Sequence, residues 1–284
     1  MKFSIALAQI DPVLGDIPRN VERHMAAADR ARQAGAGLVV FPELSLTGYS
    51  IKDMNWDLAV NLAKGSAQFK PLIELSKSIS IIAGGVEEDK SFGIYNSAFF
   101  FEAGTVRSVH RKTYPPTYGM FEEMRYFSRG SSVKAFDTRH GRLGVLICED
   151  LWHMSLPYIL TCDGAQLIIA LVASPTRMGG GDGSGLQAAL VNAENHKAYG
   201  RLLSTYLAFC NRVGYEDGVN FWGGSQLIGP DGSVVASAKQ FEEDLLIAPI
   251  DEEEIRRARR FSRHLLDEDQ ALVLRELKRV EKEK

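Results

Sequence analysis

The chain has 284 residues, 45% hydrophobic and 24% charged, enough to bury the core of a soluble globular protein. A formal charge of −3, with its 33 basic residues scattered, argues against nucleic acid or a membrane surface as partner and leaves a small molecule. Cys148, Cys162 and Cys210 are odd in number and widely spaced, which argues against a disulfide framework or a paired zinc-ligand pattern and leaves free thiols.

In chain order, a strand is expected over residues 3–9, running into a polar segment without a signal-peptide cleavage region. No stretch reaches the roughly 18 apolar residues of a membrane span, so a cytoplasmic location is expected. A helix follows over 18–33, striped by Val21, Met25, Ala28 and Ala31, and then Gly-Leu-Val-Val-Phe-Pro-Glu reads as a buried strand ending at Glu43. A second helix over 67–79 leads into the strand that begins at Ile79. Residues 95–102 and 105–111 form an expected hairpin turning at Ala103-Gly104, with Lys112 next. Gly-Val-Leu-Ile-Cys-Glu-Asp, 144–150, places Cys148 at the end of another apolar strand. Beyond it come a short helix over 156–162, a strand over 166–172, a long helix over 187–204, and strands over 206–213, 223–229, 233–238 and 244–250. Such a mixture predicts an α/β domain of sheets covered by helices, residues 1–250, without linker or internal repeat. Residues 251–284 read as a helical extension of the same domain: Asp-Glu-Glu-Glu opens one helix, and Leu272, Leu274, Leu277 and Val280 stripe a second. That stripe either packs on a neighbour or is the apolar side of a solvated tail.

An acid, an ammonium and a thiol therefore all stand where buried strands emerge. A thiol is mostly protonated at neutral pH unless a base or cation favours the thiolate. In a water-poor pocket Glu43 can take the proton of Cys148, Lys112 can stabilise the anion and then the oxyanion of a tetrahedral intermediate, and Glu43 can protonate departing ammonia. Taken singly, each residue has an ordinary reading as core thiol, turn carboxylate or surface charge.

Phe-Pro-Glu-Leu-Ser-Leu-Thr-Gly-Tyr at 41–49, Arg-Lys-Thr-Tyr-Pro-Pro-Thr-Tyr-Gly-Met-Phe-Glu-Glu-Met-Arg-Tyr-Phe at 111–127 and Leu-Ile-Cys-Glu-Asp-Leu-Trp at 146–152 resemble the nitrilase, or carbon-nitrogen hydrolase, superfamily. The likeness continues through Asn-Arg-Val-Gly at 211–214 and Gly-Gly-Ser-Gln-Leu-Ile-Gly-Pro-Asp-Gly at 223–232. It implies a four-layer α-β-β-α sandwich and a Glu43-Lys112-Cys148 triad. A second, ordering glutamate falls on Glu123, with adjacent Glu122 as the competing candidate. The oxyanion would be met by Lys112 and the backbone N–H of Glu149.

Leu-Thr-Gly-Tyr, Tyr-Gly-Met-Phe-Glu-Glu, Cys-Glu-Asp-Leu-Trp and Ala-Ser-Pro at 173–175 look closest to the glutamine-amidase domain of glutamine-dependent NAD synthetases. That branch implies Tyr118, Glu149 and Ser174 as pocket residues, with Glu149 holding a substrate α-ammonium or, alternatively, pairing with an internal arginine. No Ser-Gly-Gly-Xaa-Asp-Ser synthetase motif is present, so the amidase reads as standing alone, with a separate ammonia-accepting synthetase as a candidate partner. The loop after Ala-Ser-Pro departs from the branch and carries Arg177, a candidate for a substrate carboxylate, before the glycine-rich run Gly179–Gly185, which reads as a lid. Trp152 and Met154 are expected at the site entrance or a subunit contact. The six histidines lack metal-ligand spacing, so neither metal nor cofactor is expected; His153 as a protease-type base is disfavoured beside Glu43.

The expected activity is a thiol amidohydrolase acting on glutamine or a related ω-amide through a thioester. The alternatives are an N-carbamoyl amidohydrolase with the same triad and, from another class, an inactive module that binds an amide or a partner. The resemblance also implies a homo-oligomer, dimer or higher.

Overall fold

The computed structural model describes residues 1–63, 67–176 and 186–284. In the first half the elements are β1 (Lys2–Gln9), α1 (Ile17–Gln33), β2 (Ala36–Val40), α2 (Asn55–Leu58), α3 (Lys70–Leu75), β3 (Ser80–Glu88), β4 (Ile94–Glu102), β5 (Thr105–Arg111) and α4 (Glu123–Tyr126). In the second they are β6 (Phe136–Thr138), β7 (Gly141–Ile147), α5 (Ser155–Cys162), β8 (Leu167–Val172), α6 (Gln187–Leu203), β9 (Tyr206–Asn211), β10 (Val213–Glu216), β11 (Val219–Trp222), β12 (Gln226–Ile228), β13 (Val234–Ser237), β14 (Asp244–Asp251), α7 (Glu252–Phe261) and α8 (Gln270–Lys282).

Two six-stranded sheets, ordered β14-β1-β2-β3-β4-β5 and β13-β12-β9-β8-β7-β6, lie face to face. The period-2 alternation of a strand explains the layers. In β1, Ile5 and Leu7 join Val40, Ile82, Val145, Ile147 and Ile169 in the core between the sheets, whereas Ala6 and Ala8 face Val21, Ala28 and Ala31 of α1. On the other sheet, Leu146, Ile168 and Phe209 pack outward against Leu156, Leu160 and Leu203 of α5 and α6. The result is the expected α-β-β-α sandwich, held by aliphatic side chains worth about 1.5–3 kcal/mol each on full burial. Helix α1 starts where Asp16 accepts from the Arg19 N–H at 3.0 Å and Pro18 occupies the first turn. Beyond β14, Ile255 of α7 plugs into the inter-sheet core, while α8 buries none of its residues and leaves Leu272, Leu274, Leu277 and Val280 exposed.

Three local expectations are corrected. The helix expected over 67–79 is shorter, because Ser76 and Ser78 turn their hydroxyls onto the carbonyls of Ile73 and Leu75 and end α3 early. The strand expected over 206–213 breaks after Asn211, where Arg212 turns inward, and β10–β11 form a separate hairpin about Asp217-Gly218, both at positive φ. The strand expected from residue 223 starts at Gln226, since Gly223 and Gly224 also take positive φ.

Candidate active site

Glu43 lies just past β2, in a turn laid against β3: Phe41 N–H donates to Ile82 O at 2.8 Å and Leu46 N–H to Gly84 O at 2.9 Å. Gly84 makes this approach feasible, because a Cβ there would stand 2.4 Å from Leu44 N and 2.7 Å from Pro42 O. The buried Glu43 carboxylate accepts from Asn96 Nδ2 at 2.8 Å and Lys112 Nζ at 2.7 Å through Oε1, and from Ala173 N–H at 2.9 Å through Oε2. Lys112 follows β5 and is tethered by its N–H to Asn96 O at 2.8 Å. Its ammonium also donates to Glu123 Oε1 at 2.7 Å, and the Tyr49 hydroxyl donates to that same oxygen at 2.6 Å. Of the two adjacent glutamates, Glu123 is buried on Lys112 and Glu122 is exposed.

Cys148 sits at the elbow where β7 gives way to a tight 3-10 turn over Cys148–Trp152, with φ of 46°. A non-glycine residue pays about 1–3 kcal/mol for such a conformation, so the surroundings must hold it there. Asp150 supplies that hold. One oxygen accepts from the Thr113 and Tyr114 N–H groups, both at 2.9 Å; the other accepts from Ile147 N–H at 3.1 Å and lies 3.0 Å from His110 Nε2. One carboxylate thus ties the segment leaving Lys112 to the thiol's elbow.

The electrostatics follow from burial. Cys148 packs against both the inter-sheet core and the outer core of its sheet. Burial and then the Glu43 charge push its thiol well above the ordinary range, against the pull of Lys112 and the Ala173 N–H. Burial also opposes the charge on Lys112, but Glu123 and Glu43 outweigh it and hold the ammonium well above its usual value. Desolvation raises Glu123 to about 7, against the pull of Lys112. Burial and the Glu123 carboxylate keep the Tyr49 phenol protonated.

A cavity of roughly 250 Å³ opens on the thiol and is lined by Tyr118, Cys148, Glu149, Trp152, Ser174 and Asn192, among others. Tyr118 OH donates to Glu149 Oε2 at 2.8 Å, and His153 Nε2 stands 3.9 Å from Glu149 Oε1 while its ring stacks on Tyr114. Among the described residues Glu149 therefore meets a phenol and an imidazole, not the internal arginine weighed as its alternative. Ser174 N–H donates to Asn211 Oδ1 at 2.9 Å, and Ser174 Oγ accepts from Trp222 Nε1 at 3.0 Å. Arg177 and the run Gly179–Gly185 lie outside the described residues. Among the described residues no group of three or more His, Cys, Asp or Glu is arranged to hold a metal ion, and no helix is long and apolar enough to cross a membrane.

The structure brings Glu43, Lys112 and Glu123 into direct contact around the thiol and places Tyr118, Glu149, Trp152 and Ser174 on the cavity wall. Sequence reasoning missed Tyr49, Asn96 and Asp150 as members of the site. Tyr49 and Asp150 lie inside the motifs above, and Asn96 is the one amide side chain of β4, Ile94–Glu102.

Residues 4–260 match the family model described as carbon-nitrogen hydrolase. The glutamine-dependent NAD(+) synthetase of Acinetobacter baylyi is 33% identical over 254 residues, covering 89% of this chain and 45% of the relative. The chain thus spans about half the length of the synthetases it matches. A probable nitrilase of Schizosaccharomyces pombe is 29% identical over 259 residues, covering 88% of this chain and 89% of the relative. Among solved structures, the glutamine-dependent NAD+ synthetase of Acinetobacter baumannii superposes with a TM-score of 0.81 at 30% identity, over 90% of this chain and 47% of the other.

Proposed function

The chain belongs to the carbon-nitrogen hydrolase family, and from that premise we propose a cofactor-free thiol amidase that cleaves the carboxamide of glutamine or a related ω-amide. One observation carries the reading: a buried ammonium gripped by two carboxylates beside a thiol held at a positive-φ elbow. The resting thiol keeps its proton until a substrate carbonyl arrives. Glu43 takes that proton as sulfur adds to the carbonyl carbon, and the oxyanion is met by Lys112 and the Glu149 N–H. The tetrahedral carbon then expels ammonia, protonated by Glu43, to leave the thioester. Water, deprotonated by the same carboxylate, hydrolyses the thioester and restores the thiol. Glu123 orders the Lys112 ammonium.

The preference for glutamine is supported by Tyr118, Glu149 and Ser174, a phenol, carboxylate and hydroxyl suited to an α-ammonium group, and by relatives whose names are glutamine-dependent synthetases. Those relatives also support transfer of the ammonia to a separate synthetase. Residues 1–250 form the hydrolase domain on this reading, and 251–284 extend it, as the plug of Ile255 supports. Exposed Met154, Ile159, Leu190 and Leu202 support a homo-oligomer, and three unpaired cysteines support a reducing, cytoplasmic setting.

The test is ammonia release from glutamine, asparagine, short aliphatic amides and N-carbamoyl amino acids, with Cys148→Ala beside the native protein. Cys148-dependent release from glutamine is the expected result. Preference for a carbamoyl compound would move the substrate to that class, and a folded protein silent on every compound would overturn the amidase reading in favour of a binding role.

A further inference from the structure

The segment Asn211–Gly214 has no part in the steps above, yet Asn211 bonds a residue of the cavity wall and Arg212 pairs with the carboxylate that holds the Tyr49 backbone. Asn211 holds Ser174 on one wall through its Oδ1 and donates to Gly223 O at 2.9 Å. Arg212 is fully buried. Its Nη1 donates to Glu216 Oε2 at 2.7 Å, its Nη2 to Asp11 Oδ1 at 3.2 Å, and its guanidinium lies over the Phe221 ring, 4.3 Å from the centroid. The other oxygen of Glu216 accepts from the backbone N–H groups of Tyr49 at 2.8 Å and Ser50 at 2.6 Å. Phe221 closes against the Tyr49 ring at 5.9 Å between centroids. The turn is moulded on this carboxylate: Gly48 has φ of 82°, and a Cβ there would stand 2.9 Å from Glu216 Oε2.

A buried ion pair adds little stability over apolar residues of equal volume, so its value must lie in what it orients. We propose that the Arg212–Glu216 pair positions the active site. By clamping the Tyr49 backbone, it sets the Tyr49 hydroxyl on Glu123 and, through Glu123, places the Lys112 ammonium beside Cys148. Every link is a hydrogen bond of 2.6 to 2.8 Å, running from Arg212 through Glu216, Tyr49 and Glu123 to Lys112. Arg212 and Glu216 are positioning residues, since neither belongs to the cavity that opens on the thiol. The assignment rests on the amidase reading only for what Cys148 does next.

Alkylation of Cys148 by iodoacetamide, followed by peptide mass spectrometry, needs no substrate and separates failure of this assignment from failure of the amidase reading. Tyr49→Phe deletes the hydroxyl, whereas Glu216→Gln keeps the side chain's shape and weakens the charge-assisted link. Each is expected to slow alkylation near pH 8 on the order of tenfold. The double variant should react no more slowly than the slower single, because both act through one hydrogen bond. Thermal unfolding reports the fold separately. Native-rate alkylation in Tyr49→Phe, multiplication of the two effects in the double, or a lowered Tm in Glu216→Gln with an unchanged rate would each overturn the proposal. Should Glu216→Gln fail to fold, Arg212→Lys, which keeps the charge but loses the fork, replaces it: a rate between those of native protein and Tyr49→Phe supports the clamp, and a native rate overturns it.

Discussion

Glu43 touches an ammonium, an amide and a backbone N–H at once, so its carboxylate is aimed before any substrate arrives. Glu43→Gln preserves volume but removes the proton acceptor and turns an NH2 group toward these donors. On the proposed mechanism kcat falls about 10²–10⁴-fold while KM changes little, as measured by steady-state ammonia release from the preferred amide. The thiol makes a second prediction. Because burial and Glu43 push Cys148 well up, its alkylation rate should keep rising with pH beyond the range in which an ordinary thiol, near 8.5, has levelled off. A plateau reached by about pH 7 would mean a resting thiolate and contradict proton transfer to Glu43 during attack.

Elements matter here through the close contacts that aim their ends. The Glu43 turn lies on β3 only because Gly84 has no side chain. Gly84→Ala should therefore cost about 1–3 kcal/mol in urea unfolding and lower kcat as well, since Glu43 shifts with the turn. Native stability in that variant would show that the turn yields freely. The same contacts decide what is legible in the sequence. The two layers of strands follow from the resemblance to the carbon-nitrogen hydrolase superfamily, whereas strand alternation and the rare chemistry of Glu43, Lys112 and Cys148 at strand ends can be read directly. Tyr49, Asn96 and Asp150 cannot, because their roles arise from partners 36 to 74 residues away along the chain. The break at Arg212 is hidden as well: the arginine falls inside an expected strand until Asp11, 201 residues away, and Glu216 are seen beside it. The Asp217-Gly218 turn is the exception, a hairpin signal that is local and legible in the sequence.

At the scale of the whole molecule, the sandwich buries ionisable groups whose pH dependences run in opposite directions. His24, between Asn20 O and Ser45 Oγ and stacked on Phe41, is pushed down to about 4 by burial, and His196 to about 3. Below the ordinary histidine value of 6.5 the unfolded chain binds these protons and the folded chain does not. The stability they contribute is thus complete above 6.5 and is lost as pH falls toward 4 and 3. Glu123 runs the other way. Folded, it keeps its proton to about 7; unfolded, it releases it near 4.5. Its contribution is therefore largest below 4.5 and is lost as pH rises to about 7. Each of these shifts is worth roughly 3 kcal/mol or more across its window. Between pH 4.5 and 6.5 the two histidines outweigh the single glutamate, so the unfolding free energy of the native protein, read from urea titrations, should rise gently with pH. In Glu123→Gln the opposing slope is gone and the rise should steepen by about 1 kcal/mol or more per pH unit; in His24→Gln it should flatten. Parallel curves for native protein and Glu123→Gln would mean that Glu123 is ionised in the folded chain throughout, so that Lys112 holds a full negative charge on each side.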